Sequence, residues 1–261
     1  MWCCVNTLNA AGIVIESTAE VKQRSSKEAV PMDNNALYTG EWQGENRHGH
    51  GELQWPDGAK FVGQWVNDKA NGKGTFTHGA GDVYEGEWMD DKAHGEGVYK
   101  HVDGSTYSGA WHMDKQHGYG EEKWPDGSKY EGQYKRGLKA GQGKFSWADG
   151  SEYVGEFKHN DIHGKGTYKW DDGRQFCGPW VRNKMHGDGT FTWSDGRCYM
   201  GQYNNDVKEG KGTFTWPDNR KYEGLWRAGK QHGRGRYTKG GVIREGLWEE
   251  GKRIKWLDDE P

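Results

Sequence analysis

An aromatic residue followed two places later by glycine recurs at Tyr38, Phe61, Tyr84, Tyr107, Tyr130, Tyr153, Phe176, Tyr199 and Tyr222, each 23 residues after the last. A fixed period of this length marks a repeat architecture, in which each unit is too small to bury its own apolar face and is stable only against its neighbours. Nine copies fill residues 38–243, and a tenth that begins at Arg244 stops halfway. The ninth copy alone has lost a residue, in the turn TKGGVIREG.

Counted from the opening aromatic, glycine stands at positions 3, 12 and 14 of all nine copies, and position 5 is always aromatic. Position 16 is aromatic except at Leu53 and Glu122, and position 18 is tryptophan at Trp55, Trp124, Trp147, Trp170, Trp193 and Trp216. The even spacing 1, 3, 5 and 12, 14, 16, 18 predicts two extended strands per copy with these residues on one face. Asp-Gly pairs at positions 20 and 21, such as Asp57-Gly58 and Asp126-Gly127, supply the tight connection; Asn219, which stands in for glycine in the eighth copy, tolerates the same backbone. The fold expected is all-β: hairpins stacked side by side into one elongated, twisted antiparallel sheet, a β-ribbon. About 20 strands at ~4.8 Å give it a length on the order of 95 Å.

Composition fits this and little else. Hydrophobic residues are only 32% of the chain, too few for an aliphatic core, yet 43 glycines and 15 tryptophans supply apolar material that a disordered chain lacks. Rings laid across bare glycine backbone are expected to form the core. A net charge of −3 gives no electrostatic case for a nucleic-acid binder, and no nucleic-acid partner is expected. No apolar run reaches the roughly 18 residues of a membrane-spanning helix, and the N-terminus lacks the features of a secretory signal, so a soluble cytoplasmic protein is expected. Cys3, Cys4, Cys177 and Cys198 make no CxxC and no disulfide framework, and are read as reduced thiols.

The stretches YEGEWMDDKAHGEGVY, YSGAWHMDKQHGYGEEKWPDG and FCGPWVRNKMHGDGTFTWSDG resemble MORN repeats, the membrane occupation and recognition nexus motif. The resemblance covers residues 38–250, leaving residues 1–37 as a flexible N-terminal segment and residues 251–261 as a tail. It implies an elongated ribbon with a groove, acting as a scaffold or partner-binding surface, often dimeric, with some members in cilia, the cytoskeleton or at membranes. MORN repeats also occur beside phosphoinositide kinase and SET methyltransferase domains, for which the short flanks here leave no room.

Candidate sites follow from the residues the repeat does not absorb. Six histidines at position 11 (His48, His94, His117, His163, His186 and His232) fall one per copy, about 10 Å apart, too far to share an ion, and the position-20 aspartates are spaced the same way, so no metal or cofactor is expected. No nucleophile, base and orienting residue can be singled out, so no enzymatic activity is expected. A protein partner in extended or helical form would lie along an aromatic groove, with Tyr107, Trp111, Tyr153, Trp180, Tyr199 and Trp226 as its candidate contacts. Lys69, Lys92, Lys115, Lys139, Lys184, Lys208 and Lys230, at positions 9 and 10, would line one edge suited to anionic phospholipid headgroups such as phosphoinositides, although acidic residues in the same loops weaken that field. Cys3 and Cys4 are candidate S-acylation sites. AGIVIES, residues 11–17, is a candidate strand for the first edge, and Trp248, Ile254 and Trp256 form a candidate cap or homodimer edge.

Overall fold

A computed structural model describes residues 24–257. Among these residues there is no helix; 22 strands form a single antiparallel sheet in chain order, with the segments Lys184–Met185 and Gly187–Thr192 sharing one row against Gln175–Val181, and the sheet is open at both ends. One copy serves for all: strands Lys60–Val66 and Lys69–Thr77 pair with each other, and the second pairs onward with Val83–Met89 of the next copy.

Two turns of different kinds alternate along the ribbon. In every copy after the first, positions 7 and 8 form a two-residue hairpin turn with both φ values positive, 50° and 67° at Asn67 and Asp68, which matches the type I′ turn whose twist suits a hairpin; in the first copy only Gly44 is positive (67°). The tightest connection in each copy is therefore this one, in the loop the sequence reading treated only as a lysine-bearing edge. The Asp-Gly connection is a three-residue loop: Gly58 N donates to Trp55 O (3.1 Å), Trp55 N donates to Ala59 O (2.9 Å) and Asp57 Oδ1 accepts from Ala59 N (3.0 Å). Gly58 has φ 88° and Asn219 in the same place 64°, the left-handed conformation that both residues accept.

Strict alternation breaks at one point in each copy. The ladder runs Gly63↔Gly74 and then Trp65↔Ala70, so Gln64 faces the extra residues 71–73 across a bulge. Position 12 lies in that bulge at positive φ (96° at Gly72), where a Cβ would run into the Gln64 side chain; its glycine answers to the bulge and not, as the alternation predicts, to the aromatic face. The bulge is closed from the opposite strand by the position-4 side chain: Gln64 Oε1 accepts from Lys73 N (3.0 Å) and Glu41 Oε2 from His50 N (3.0 Å). It also frees the position-4 carbonyl, which the tyrosine hydroxyl at position 1 takes up, as Tyr130 Oη donates to Gln133 O (3.0 Å). In the copy opened by Phe176, which has no hydroxyl, His186 N donates to Pro179 O instead (3.0 Å).

The core is the row of position-1 rings. Tyr38, Tyr130, Tyr153, Phe176, Tyr199 and Tyr222 have no exposed surface. Each lies over the facing glycines of positions 3 and 14; a Cβ on Gly132 or Gly143 would stand 2.5 or 2.6 Å from Tyr130 Oη. Each ring also meets two position-5 rings edge-on, Tyr130 against Tyr134 at 5.3 Å and Phe157 at 5.0 Å, a favoured aromatic geometry. The position-5 indoles tie copy to copy: Trp88 Nε1 donates to Gly74 O (3.0 Å) and Trp226 Nε1 to Gly212 O (3.1 Å).

Both ends extend past the repeats. Strand Arg24–Pro31 pairs with Leu37–Gln43, so the ordered ribbon begins within the segment expected to be flexible; AGIVIES lies outside the described residues. Strand Lys252–Trp256 completes the half copy, so the ribbon also runs into the expected tail. There Trp248 is buried against Tyr222 (4.9 Å), Trp256 packs on Trp248 (6.1 Å), and the Arg244 and Arg253 guanidinium groups lie over Trp256 at 4.2 and 4.1 Å. These rings cap their own chain, while Ile254 is 56% exposed.

Candidate binding face

The partner contacts expected from sequence lie mostly inside. Tyr107, Tyr153 and Tyr199 are at most 1% exposed, and Trp180 and Trp226 are buried; of the six, Trp111 alone is half-buried. The rings a partner can reach are the position-18 indoles and the half-buried position-16 rings of the same face; Phe191 and Phe214, also at position 16, are buried. From Trp124 the rings of the two positions run without interruption through Phe145, Trp147, Tyr168, Trp170, Phe191, Trp193, Phe214, Trp216 and Tyr237 to Trp256, with successive centroids 4.5 to 6.2 Å apart. A shorter run joins Trp55, Phe76, His78, Tyr99 and His101. Between the two runs stands Glu122, whose carboxylate accepts from Lys139 Nζ (2.6 Å) and Tyr134 Oη (2.9 Å).

The lysines do not form one edge. Lys69, Lys92, Lys115, Lys184 and Lys230 point to solvent at the hairpin turns, where Lys69 pairs with Asp90 (3.3 Å) and Lys230 with Glu250 (2.7 Å). Lys139 and Lys208, at position 10, turn inward onto the aromatic face. Lys139 Nζ lies 4.8 Å from the centre of Trp124 and 5.1 Å from Tyr130. Lys208 Nζ sits among Trp193, Tyr199, Phe214 and Trp226 at 4.7 to 5.1 Å, with no carboxylate partner among the described residues. Burial, reinforced by the nearby Arg197 charge, pushes its pKa down from 10.5 to about 8. Arg47 occupies the corresponding place in the first copy, stacked on Trp65 at 4.2 Å and bonded to Asp68.

Position 8 explains the acids in the turns. Asp91 Oδ1 accepts from Ala70 N (2.7 Å) and Asp114 Oδ1 from Ala93 N (2.8 Å), and Asn160 and Asn183 do the same for Lys139 and Ile162. The site calls for a short side-chain acceptor at positive φ, which Asp and Asn provide. Where position 10 is Ala70 or Ala93 the face hollows into a trough of about 660 Å³, walled by Trp55, Phe61, Phe76, Trp88, Tyr84, Tyr99 and Trp111 and edged by Asp91 and Asp114. Tyr99 is held there by its hydroxyl, which donates to Asp82 Oδ2 (2.9 Å); burial and this bond push its pKa up to about 12. Sequence reasoning missed position 10, although the pairing of a small residue there with Asp in the next copy's turn is visible in the sequence. Cys177 and Cys198 are free thiols, Cys198 with its pKa raised by burial; Cys3 and Cys4 lie outside the described residues.

The MORN repeat family matches residues 38–60, 61–83, 84–106, 107–129, 130–152, 153–173, 176–196, 199–219 and 222–240. The chain belongs to the MORN repeat family. No curated protein matches this MORN-repeat chain. Solved structures that resemble it include the TCP10 domain of Danio rerio CPAP in complex with a peptide of Danio rerio STIL, 11% identical over 90% of this chain and 99% of that one, with a TM-score of 0.47. Another is the SAS-4 (dCPAP) TCP domain of Drosophila melanogaster in complex with a proline-rich motif of Ana2 (dSTIL), 13% identical over 68% and 90%, with a TM-score of 0.37. A third is virginiamycin B lyase from Staphylococcus aureus, 8% identical over 85% and 87%, with a TM-score of 0.18.

Proposed function

We propose that this MORN-repeat protein is a non-enzymatic scaffold that holds a segment of a partner protein along its aromatic face. The observation that carries the reading is the uneven use of that face: the position-1 rings are buried in the core, whereas the position-18 indoles and most of the position-16 rings stay half-buried along an open strip, and beyond Glu122 the face hollows into a trough of about 660 Å³. Half-buried rings beside polar edges suit peptide recognition, because they bring apolar area at little cost in side-chain ordering. The lipid reading has less behind it, since the outward lysines alternate with ion-paired carboxylates rather than clustering.

The test compares the two faces of the sheet. Benzoylphenylalanine placed at Phe76 or Trp170, on the aromatic face, should photo-cross-link the partner in cells; the same group at Thr75 or Thr167, on the opposite face, should not. Cross-links confined to Thr75 and Thr167 would refute the reading.

A further inference from the structure

Three copies carry a cation at position 10, Arg47, Lys139 and Lys208, and all three lay it over rings of the aromatic face. The cage around Lys208 has a counterpart exactly six copies earlier, where Trp55, Phe61, Phe76 and Trp88 stand for Trp193, Tyr199, Phe214 and Trp226 and Ala70 stands for Lys208. The two cages share their dimensions: Phe61 to Trp88 is 5.1 Å against 5.0 Å for Tyr199 to Trp226, and Phe76 to Trp88 is 6.2 Å against 6.2 Å for Phe214 to Trp226. The next copy has the same arrangement around Ala93 with His78 in place of the position-18 indole, Tyr84 to Trp111 being 5.1 Å and Tyr99 to Trp111 6.1 Å. Ala70 and Ala93 are buried methyl groups at the floor of the trough, and every other copy has a longer side chain at this position.

Charge follows the same exchange. Beside Lys139 and Lys208 the neighbouring turn presents Asn160 and Gly229, which are neutral; beside Ala70 and Ala93 it presents Asp91 and Asp114, both edging the trough. Arg47 shows cation, ring and carboxylate together, stacked on Trp65 and bonded to Asp68. We infer that the cages over Ala70 and Ala93 receive two Lys or Arg side chains of a partner peptide, each cation over the rings and beside Asp91 or Asp114. This deepens the scaffold reading and rests on it.

The spacing constrains the peptide backbone. Neighbouring cages are one copy apart, two strands or about 9.6 Å. In a β-strand, side chains on one face repeat at about 6.7 Å or 13 Å, neither of which fits. Polyproline II has three residues per turn at about 3.1 Å each, so residues three apart share a face about 9.3 Å from one another. The expected ligand is a polyproline II segment with basic residues three positions apart.

The test measures fluorescence anisotropy of the full chain with a labelled, capped proline-rich peptide bearing two lysines three positions apart. The comparison peptides carry norleucine for lysine, or lysines two apart. Two double variants keep the fold by precedent within the chain: Ala70→Lys with Ala93→Lys fills the cages as Lys208 fills its own, and Asp91→Asn with Asp114→Asn keeps the backbone bond that Asn160 makes. Saturable binding of the lysine peptide is expected, weakened about tenfold or more by either double variant, by norleucine and by the shorter spacing. Equal binding of the norleucine peptide, wild-type binding by both variants, or no saturable binding would overturn the inference. Failure of the peptide tests while partner cross-links from Trp170 are retained would overturn the inference and leave the scaffold reading in place; only loss of cross-linking from the aromatic face as a whole removes that reading.

Discussion

Gly143→Ala tests whether the rings of the core are seated on bare backbone. Gly143 has no positive φ, so alanine meets no backbone strain there; its Cβ meets Tyr130 at 2.6 Å from Oη, 2.7 Å from Cε2 and 2.8 Å from Cζ. Tyr130 is fully buried and braced edge-on by Tyr134 and Phe157, so relief of the clash requires several rings to shift. Overpacking of this kind costs about 1–3 kcal/mol, and the hydroxyl's bond to Gln133 O adds about 1 kcal/mol if it breaks. Alanine's lower unfolded-state entropy returns about 0.5–1 kcal/mol, for a net loss of about 1–3.5 kcal/mol. The comparison is Gly150→Ala, at φ 91° with nothing within 4 Å of the added Cβ, where backbone strain alone costs about 1–2 kcal/mol. Urea unfolding followed by tryptophan fluorescence gives both midpoints. In the background Tyr130→Leu, the Gly143→Ala penalty should shrink, because the ring it strikes is gone. If Gly143→Ala proves as mild as an exposed surface change, or its cost is the same in the Tyr130→Leu background, the rings are not seated as described.

Tyr153→Phe removes a hydroxyl that donates to Glu156 O (3.1 Å) and should cost about 1 kcal/mol in a urea titration, whereas Phe176→Tyr, whose acceptor carbonyl is already taken by His186 N, should gain nothing. Asp91→Ala should lower the melting temperature by leaving Ala70 N without its acceptor, while Asp91→Asn should leave it unchanged. Stability should rise between pH 8 and 10: Lys208 binds its proton less tightly folded (about 8) than unfolded (10.5), so the cost of burying its charge lifts as pH climbs through that window. The full shift corresponds to about 3 kcal/mol, which partial exposure and ring–cation attraction reduce to about 1 kcal/mol, and Lys208→Met should abolish the rise. Above pH 10 the sign reverses. Burial pushes the Tyr38 pKa up to about 12, so its contribution is intact below 10 and is lost between 10 and 12, with phenolate absorbance appearing only as the chain unfolds.

The period of 23, the strand pair and the Asp-Gly loop were all legible because they rest on local chemistry repeated nine times. Alternation assigns a residue to a face but not a depth on it. Tyr107 and Trp124 share a face, yet the first lies over paired glycines and vanishes from the surface while the second stays half-exposed. The bulge at position 12 was hidden because its even spacing imitates a regular strand. Met113-Asp114 and His159-Asn160 conceal type I′ turns, since only one residue of each pair is a usual occupant of such a turn. Strand Arg24–Pro31 has no alternating apolar face and packs only Val30 against the core; it pairs through its backbone with an edge the repeats leave open.

The unbroken file of rings from Trp124 to Trp256 has an optical consequence. Tryptophans spaced this closely, with tyrosine and phenylalanine between them, do not absorb and emit independently: excitation entering at one indole passes along the file and is emitted from whichever has the lowest excited state. The ribbon's near-ultraviolet dichroism should therefore be a collective spectrum, larger than the sum of its indoles. A single quencher brought against any one of them should darken a stretch of neighbours, which makes the protein's own light a reporter of where along the ribbon something has docked.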